Sequence, residues 1–188
     1  MNNLKNYTDE EIINLLKLGE ITGADLTDSG ICPTCFNRKY DGVVYGSNSD
    51  KMLYQDDDIE CFLAGNPRAN GHTVISTKKH FKDMMEIDNE TCKKVFLFSK
   101  KMMCIIRKVY QPESVYLCTM CDGPMNHFHV QLIPRYDYEK RGSKNFVKPR
   151  TEYIEDKQKI LEIRIKIERD IFNVDTDSNG LIQDVHWS

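Results

Sequence analysis

Several short apolar stretches of the chain, separated by polar turn residues, predict an antiparallel sheet. The stretches 42–45, 52–55, 59–63, 72–77, 114–119 and 128–133 have the length and composition of strands and are bounded by turn residues. Residues 46–50, rich in Gly, Ser, Asn and Asp, are interpreted as the turn that joins the first two strands into a meander.

Three other segments have the periodicity of amphipathic helices. Thr8 and Glu11 form a capping box before a short apolar run that ends near Gly19. Asp88 is the expected N-cap of a long helix that ends before Pro112. A last helix runs from residue 153 to about 172, and its apolar face is Ile160, Ile163, Ile167 and Ile171. Helices and a meander in this order predict the α+β class.

The composition indicates one globular domain with its own core. The chain has 188 residues, of which 40% are hydrophobic. Its formal net charge of −3 provides no basic surface for nucleic acid as a bulk partner. No apolar run reaches the length of a membrane span, and the first residues do not resemble a signal peptide. The seven cysteines therefore indicate thiols and metal ligands in a cytoplasmic protein.

One strand concentrates polar side chains on a single face. His127, His129 and Gln131 alternate with Phe128 and Val130, so the two histidines and the glutamine share one face. Each buried polar group without a partner costs about 1–3 kcal/mol, so this face needs a metal, a phosphate or a hydrogen-bond network. The alternative is an edge strand whose polar face lies in water.

A zinc site is predicted from cysteine spacing. Cys32 and Cys35 are spaced as the first half of a tetrahedral site. The second half comes either from two later histidines or from Cys118 and Cys121. Residues three apart on a strand face opposite ways, which disfavours the second cysteine pair. A third interpretation is that these cysteines are packed thiols. The favoured ligand set is Cys32, Cys35, His80 and His127.

Two motifs together resemble the histidine-triad superfamily. They are His-Thr-Val-Ile-Ser-Thr-Lys-Lys-His at 72–80 and His-Phe-His-Val-Gln-Leu-Ile-Pro-Arg at 127–135, and the Cys-x-x-Cys resembles the zinc knuckle of bacterial members. The resemblance implies a HIT-like antiparallel sheet with a long central helix over residues 31–137. Residues 1–30 are then an N-terminal helix and connector, and residues 138–188 a C-terminal loop and helical extension.

The resemblance also implies a nucleotidyl-transfer enzyme, a hydrolase, phosphorylase or transferase that acts at the α-phosphate of a nucleotide. His129 takes the position of the nucleophile that forms a covalent nucleotidyl-histidine, and His127 would bind a structural zinc. Gln131 replaces the third histidine, as in the transferase and phosphorylase branches. A glutamine amide donates to a phosphate oxygen but does not shuttle a proton, which favours pyrophosphate-type leaving groups and phosphate-like acceptors.

The resemblance points to three substrate-binding residues. His72 begins the first motif. Asn66 lies close to Ala64, which stands where the family usually has a ribose-binding acid or amide, and Asn126 stands in a shortened loop before His127. A second hypothesis is a zinc-stabilised module of the same fold that binds a nucleotide or phosphate without turnover. Family members are commonly dimers built through the long helix, so a homodimer is an expectation.

Overall fold

A five-stranded antiparallel sheet forms the centre of the computed structural model, which describes residues 4–120, 123–141 and 156–172. The strands are β1 (Met52–Gln55), β2 (Ile59–Leu63), β3 (Thr73–Thr77), β4 (Ser114–Cys118) and β5 (His129–Arg135). They lie in the order β1-β2-β3-β5-β4, and every neighbouring pair is antiparallel. The predicted α+β class is confirmed. Because β5 lies between β3 and β4, the edge-strand alternative for the triad is wrong.

Five helices accompany the sheet in the described part of the chain: α1 (Asp9–Leu18), α2 (Gly23–Asp28), α3 (Pro33–Lys39), α4 (Asn89–Tyr110) and α5 (Lys157–Phe172). Short 3-10 turns cover Leu4–Asn6 and Ser49–Lys51. The capping box of α1 is confirmed, since Thr8 accepts from the Glu11 amide and Glu11 accepts from the Thr8 amide at 2.7 Å. Asp88 caps α4 through the Thr91 amide, also as predicted.

The main core lies between one face of the sheet and the helices α4 and α5. Alternate residues of β2 and β5 point into it, among them Ile59, Cys61, Val130 and Leu132, all fully buried. Three of the four predicted isoleucines of α5 join this core, namely Ile160, Ile163 and Ile167. The side chain of Ile171 lies outside the described residues. The C-terminal helix is therefore part of the same core as the sheet.

A second, smaller core is built by α1, α2 and α3 around Leu4, Ile12, Leu26 and Phe36. The polar connector predicted after α1 thus contains two helices. The sequence contains helix N-terminal signals for both helices, and neither helix was predicted from them. Asp25 forms a capping box with Thr22 at the start of α2, and Pro33 is in the first turn of α3. This core continues across residue 30, the boundary expected from the sequence.

The predicted strand at 42–45 is wrong. The amides of Val44 and Tyr45 donate to the side-chain oxygen of Asn37 at 2.9 and 2.8 Å, so they are not available to a sheet partner. Gly42 has a φ of +85° and accepts from the Gly46 amide at 2.7 Å, which closes a turn. The predicted meander therefore begins only at β1. No helix in the described ranges has both the length and the apolar character needed to cross a membrane.

Candidate functional site

A cavity of about 920 Å³ lies on the sheet face that points away from α4. The residues of β2 and β3 that alternate with the core positions line it, including Glu60, Phe62, Val74 and Ser76. α3 and the loop that follows it contribute the opposite wall. His127, His129 and Gln131 also line this cavity, so the polar face predicted for the triad segment faces it.

The register of the sheet fixes what lies beside each triad residue. β3 and β5 pair so that Ser76 is opposite His129 and Val74 is opposite Gln131. Glu60 of β2 is in turn opposite Ser76. Glu60, Ser76 and His129 therefore form one row across the floor of the cavity, with neighbouring Cβ atoms about 4.5–5.5 Å apart.

The imidazole of His129 is held by hydrogen bonds at both nitrogens. Its Nδ1 lies 2.8 Å from the carbonyl oxygen of His127, which can only accept, so Nδ1 carries the proton. Nε2 then has a free lone pair, and the side-chain amide of Gln131 donates to it at 3.2 Å. A neutral ring with a basic Nε2 is the state that a nucleophilic histidine requires.

Gln131 is buried, with 4% of its surface exposed. Its Nε2 donates to His129, while its Oε1 has no hydrogen-bond partner among the described residues. Leaving a buried carbonyl unpaired costs free energy. Because Gln131 lines the cavity, a ligand or water bound there can donate to this oxygen.

Four candidate metal ligands come together beside the triad. The ligand atoms of Cys32, Cys35, His80 and His127 all lie within 4.8 Å of one another. The Nδ1 atoms of the two histidines are 3.3 Å apart, and three sulfur–nitrogen distances are 3.4, 3.5 and 3.6 Å. A tetrahedral zinc bound by two imidazoles and two thiolates separates nitrogen from nitrogen by about 3.3 Å and nitrogen from sulfur by about 3.6 Å. These four distances match such a site.

His127 is oriented for this cluster by the backbone of β3. Its Nε2 donates to the Thr77 carbonyl at 2.7 Å, which leaves Nδ1 unprotonated and directed at the other three ligands. Burial lowers the pKa of His127 to about 4, so the ring is neutral near pH 7. Burial raises the pKa of the Cys35 thiol to about 12, and a bound cation is what would favour its thiolate.

α3 carries the two cysteines, and Arg38 fastens this helix to the sheet. Cys32 is the N-cap of α3, and its sulfur accepts from the Cys35 amide at 3.4 Å. Arg38 donates to Glu60 at 2.6 Å and to the carbonyls of Thr77 and Lys78 at 3.1 and 2.8 Å. These bonds place the cysteine pair against the strand end where His80 and His127 lie.

The remaining predicted site residues have different positions. His72 and Asn66 line the cavity, as does Ala64. Asn126 does not belong to the cavity wall, and its amide donates to the Lys82 carbonyl at 2.6 Å. Cys118, on β4 opposite Gln131, is not a member of the metal-ligand cluster. Cys121 lies outside the described residues.

Two site residues were missed from the sequence, Arg38 and Ser76. Ser76 had a usable signal, because it occupies an alternating position of an otherwise β-branched strand where an apolar residue is the usual choice. Arg38 had none, since its partners Glu60, Thr77 and Lys78 lie 22 to 40 residues away along the chain.

Comparison with known proteins agrees with this architecture. A HIT-domain family model matches residues 46–138, which span β1 to β5. An uncharacterized HIT-like protein of Methanocaldococcus jannaschii is 28% identical over 98 residues, 50% of this chain and 76% of its own length. The match to the family model begins after Cys35, so two of the four candidate ligands lie outside it.

Two solved structures share the fold. A zinc-bound histidine-triad family protein of Mycobacterium smegmatis has a TM-score of 0.52 at 16% identity, over 64% of this chain and 85% of its own. A diadenosine triphosphate hydrolase of Plasmodium falciparum also has a TM-score of 0.52 at 16% identity, over 67% and 82%. The family model, the HIT-like relatives and the shared fold with its triad strand all point to the same family. The chain belongs to the histidine-triad (HIT) superfamily.

Proposed function

We propose that this chain is a nucleotidyl-transfer enzyme in which His129 attacks the α-phosphorus of a nucleotide. The observation that carries the proposal is the state of the His129 ring. Its Nδ1–H donates to the His127 carbonyl at 2.8 Å, so the lone pair is on Nε2, where the Gln131 amide donates to it at 3.2 Å, and the residue lines the cavity. An imidazole without this anchor would interconvert between tautomers and would present the lone pair only part of the time.

The reaction takes place in two displacements. In the first, the Nε2 lone pair of His129 forms a nitrogen–phosphorus bond, and the bond from phosphorus to the leaving-group oxygen breaks with its electron pair on that oxygen. The proton stays bonded to Nδ1 and is donated to the His127 carbonyl, so the positive charge on the ring is stabilised by a fixed acceptor. In the second, an acceptor oxygen displaces His129 and regenerates the neutral ring.

Gln131 would stabilise charge on the phosphoryl group. Its amide now donates to Nε2 of His129, and that acceptor disappears once Nε2 bonds to phosphorus. The same N–H groups can then donate to a phosphoryl oxygen, where negative charge develops. Because the amide supplies no proton, the leaving group has to be stable without one, as pyrophosphate-type groups are.

The proposed metal is a structural zinc held by Cys32, Cys35, His80 and His127. The donor set, the 3.3–3.6 Å spacings and the hydrogen bond from His127 to Thr77 support it. Zinc there would fix α3 against the sheet and would hold the His127 backbone, whose carbonyl orients His129. The zinc-bound member of the same fold adds support.

A nucleoside phosphate is the proposed substrate class, with His72 and Asn66 as cavity-wall contacts. A diadenosine triphosphate hydrolase shares this fold, which makes dinucleoside polyphosphates reasonable first probes. Asn126 would contact substrate only after its amide leaves the Lys82 carbonyl, to which it donates at 2.6 Å. The second candidate function, binding without turnover, is favoured by the unpaired Oε1 of Gln131, which can accept a hydrogen bond from a bound ligand.

Turnover separates the two functions. Purified protein is incubated with diadenosine triphosphate, nucleoside diphosphates and nucleoside-diphosphate sugars, with and without inorganic phosphate, and the products are separated by chromatography. The enzyme hypothesis predicts product from at least one substrate and no product with His129→Ala. Binding of nucleoside monophosphates by calorimetry, with no product from any substrate, would instead support the binding module.

A further inference from the structure

Ser76 is the one hydroxyl-bearing residue among those described that lies directly opposite His129 in the sheet. The β3–β5 register pairs the two residues, and both side chains line the cavity. Ser76 is only 3% exposed. Burying a hydroxyl on a strand costs free energy unless the group has a hydrogen-bonding use, so its presence at this position requires a reason.

The hydrogen bonds inside the protein do not supply that reason. The Oγ of Ser76 donates to the Thr77 carbonyl at 3.4 Å, which is beyond the usual range for a hydroxyl donor. Glu60, on the other side of Ser76, is engaged by Arg38 at 2.6 Å. The two nitrogens of His129 are engaged by His127 and Gln131. The hydroxyl therefore keeps a donor that a better acceptor in the cavity can take.

The row of side chains shows where this acceptor would lie. Neighbouring Cβ atoms across the strands are about 4.5–5.5 Å apart, so a group bonded to Nε2 of His129 lies above the cavity floor within reach of Ser76. Gln131 approaches the same group from the β5 side. A phosphoryl group on His129 would thus have one oxygen facing the amide of Gln131 and another facing the β3 side, where Ser76 supplies the donor.

We propose that Ser76 is a substrate-contacting residue that donates a hydrogen bond to a non-bridging oxygen of the phosphoryl group transferred to His129. The inference rests on the function proposed above. Ser76 keeps its proton throughout, so it stabilises charge and takes no part in bond making. A hydrogen bond to a charged oxygen is expected to change the rate by about 10- to 100-fold.

The test uses two variants of equal shape. Ser76→Thr keeps the hydroxyl, and Ser76→Val fills the same space without it. Both residues are β-branched and suit a strand, so their melting temperatures should agree within about 2 °C. Ser99, a buried serine of α4 that donates to the Val95 carbonyl at 2.7 Å, provides the control variant Ser99→Ala outside the cavity.

The measurements are kcat/KM with the substrate that the wild type turns over and the dissociation constants of the four ribonucleoside monophosphates. The expected result is a loss of about 10- to 100-fold in kcat/KM and weaker monophosphate binding for Ser76→Val. Ser76→Thr should stay within a few-fold of the wild type and Ser99→Ala should be unchanged. Equal values for the Thr and Val variants overturn the inference and leave the proposed function standing.

The two proposals fail in different ways. If the wild type binds a monophosphate but turns nothing over, the proposed transfer reaction fails. Weaker binding by Ser76→Val than by Ser76→Thr would then still support the contact with the phosphoryl group. If the wild type neither binds nor turns over any nucleotide, both proposals are overturned.

Discussion

Removing the imidazole of His80 should abolish zinc binding with little direct effect on the fold. His80 is exposed, so His80→Ala leaves no cavity in the core, and any loss of stability comes from the metal. Its Nδ1 lies 3.3 Å from Nδ1 of His127 and 3.5 Å from the sulfur of Cys35, so it completes the tetrahedron. Cys118→Ser is the matched control, because this thiol lies outside the cluster.

The magnitude follows from mass action. Free zinc at about a thousand times its dissociation constant stabilises the folded state by about 4 kcal/mol. For a chain of this length, 1 kcal/mol shifts the melting temperature by about 2–4 °C, so a strong chelator should lower that of the wild type by about 8–16 °C. His80→Ala should melt within about 2 °C of the chelated wild type, with or without zinc.

The assay combines metal content by elemental mass spectrometry with thermal unfolding in zinc and in chelator. The wild type and Cys118→Ser should each carry one zinc per chain. The reasoning is refuted if His80→Ala retains one zinc and the full chelator shift, or if Cys118→Ser loses the metal. The second result would favour the four-cysteine alternative, with Cys121 as its partner.

Three further predictions concern the triad, α3 and α5. Gln131→His should raise turnover of substrates with amine or alkoxide leaving groups, most strongly below about pH 6.5, where an imidazolium can donate a proton, measured as a pH–rate profile. Arg38→Ala should lower the free energy of unfolding by about 2–3 kcal/mol in urea, since Glu60 loses its partner while 12% exposed. Ile163→Ala should cost about 2–5 kcal/mol by the same assay, because this side chain is fully buried in the main core.

Each of these has a contrary outcome. Equal leaving-group dependence in the wild type and Gln131→His would mean that the third triad position does not control proton supply. An Arg38→Ala variant as stable as the wild type would show that α3 docks without this ion pair. An Ile163→Ala cost below about 0.5 kcal/mol, compared with the exposed control Leu161→Ala, would separate α5 from the core.

The elements that could be predicted are those whose signal is local. The capping box at Thr8 and the N-cap at Asp88 use atoms within three residues, so both helix starts were predicted correctly. β5 alternates apolar and polar residues because Val130 and Leu132 pack in the core with α4 while His129 and Gln131 face the cavity. The strand predicted at 42–45 failed because the side chain of Asn37 takes the amides that a sheet partner would need.

The sequence predicted which residue types form the site, but it did not predict which of them lie next to one another. Spacing alone left the second half of the metal site open between histidines and cysteines, and the cluster geometry now favours the set with His80 and His127. The pairing of Ser76 with His129 depends on the register of β3 against β5. Register arises from the packing of the whole sheet and has no signature within either segment.

The central claim is that His129 forms a covalent bond to phosphorus, and intact-protein mass spectrometry tests it most directly. Protein is mixed briefly with nucleoside polyphosphates and nucleoside-diphosphate sugars and quenched at alkaline pH, which preserves a phosphoramidate. We expect a mass increase of one nucleotidyl group in the wild type, mapped to His129 by peptide analysis and absent from His129→Ala. An adduct on another residue, or turnover by His129→Ala at the wild-type rate, would contradict it.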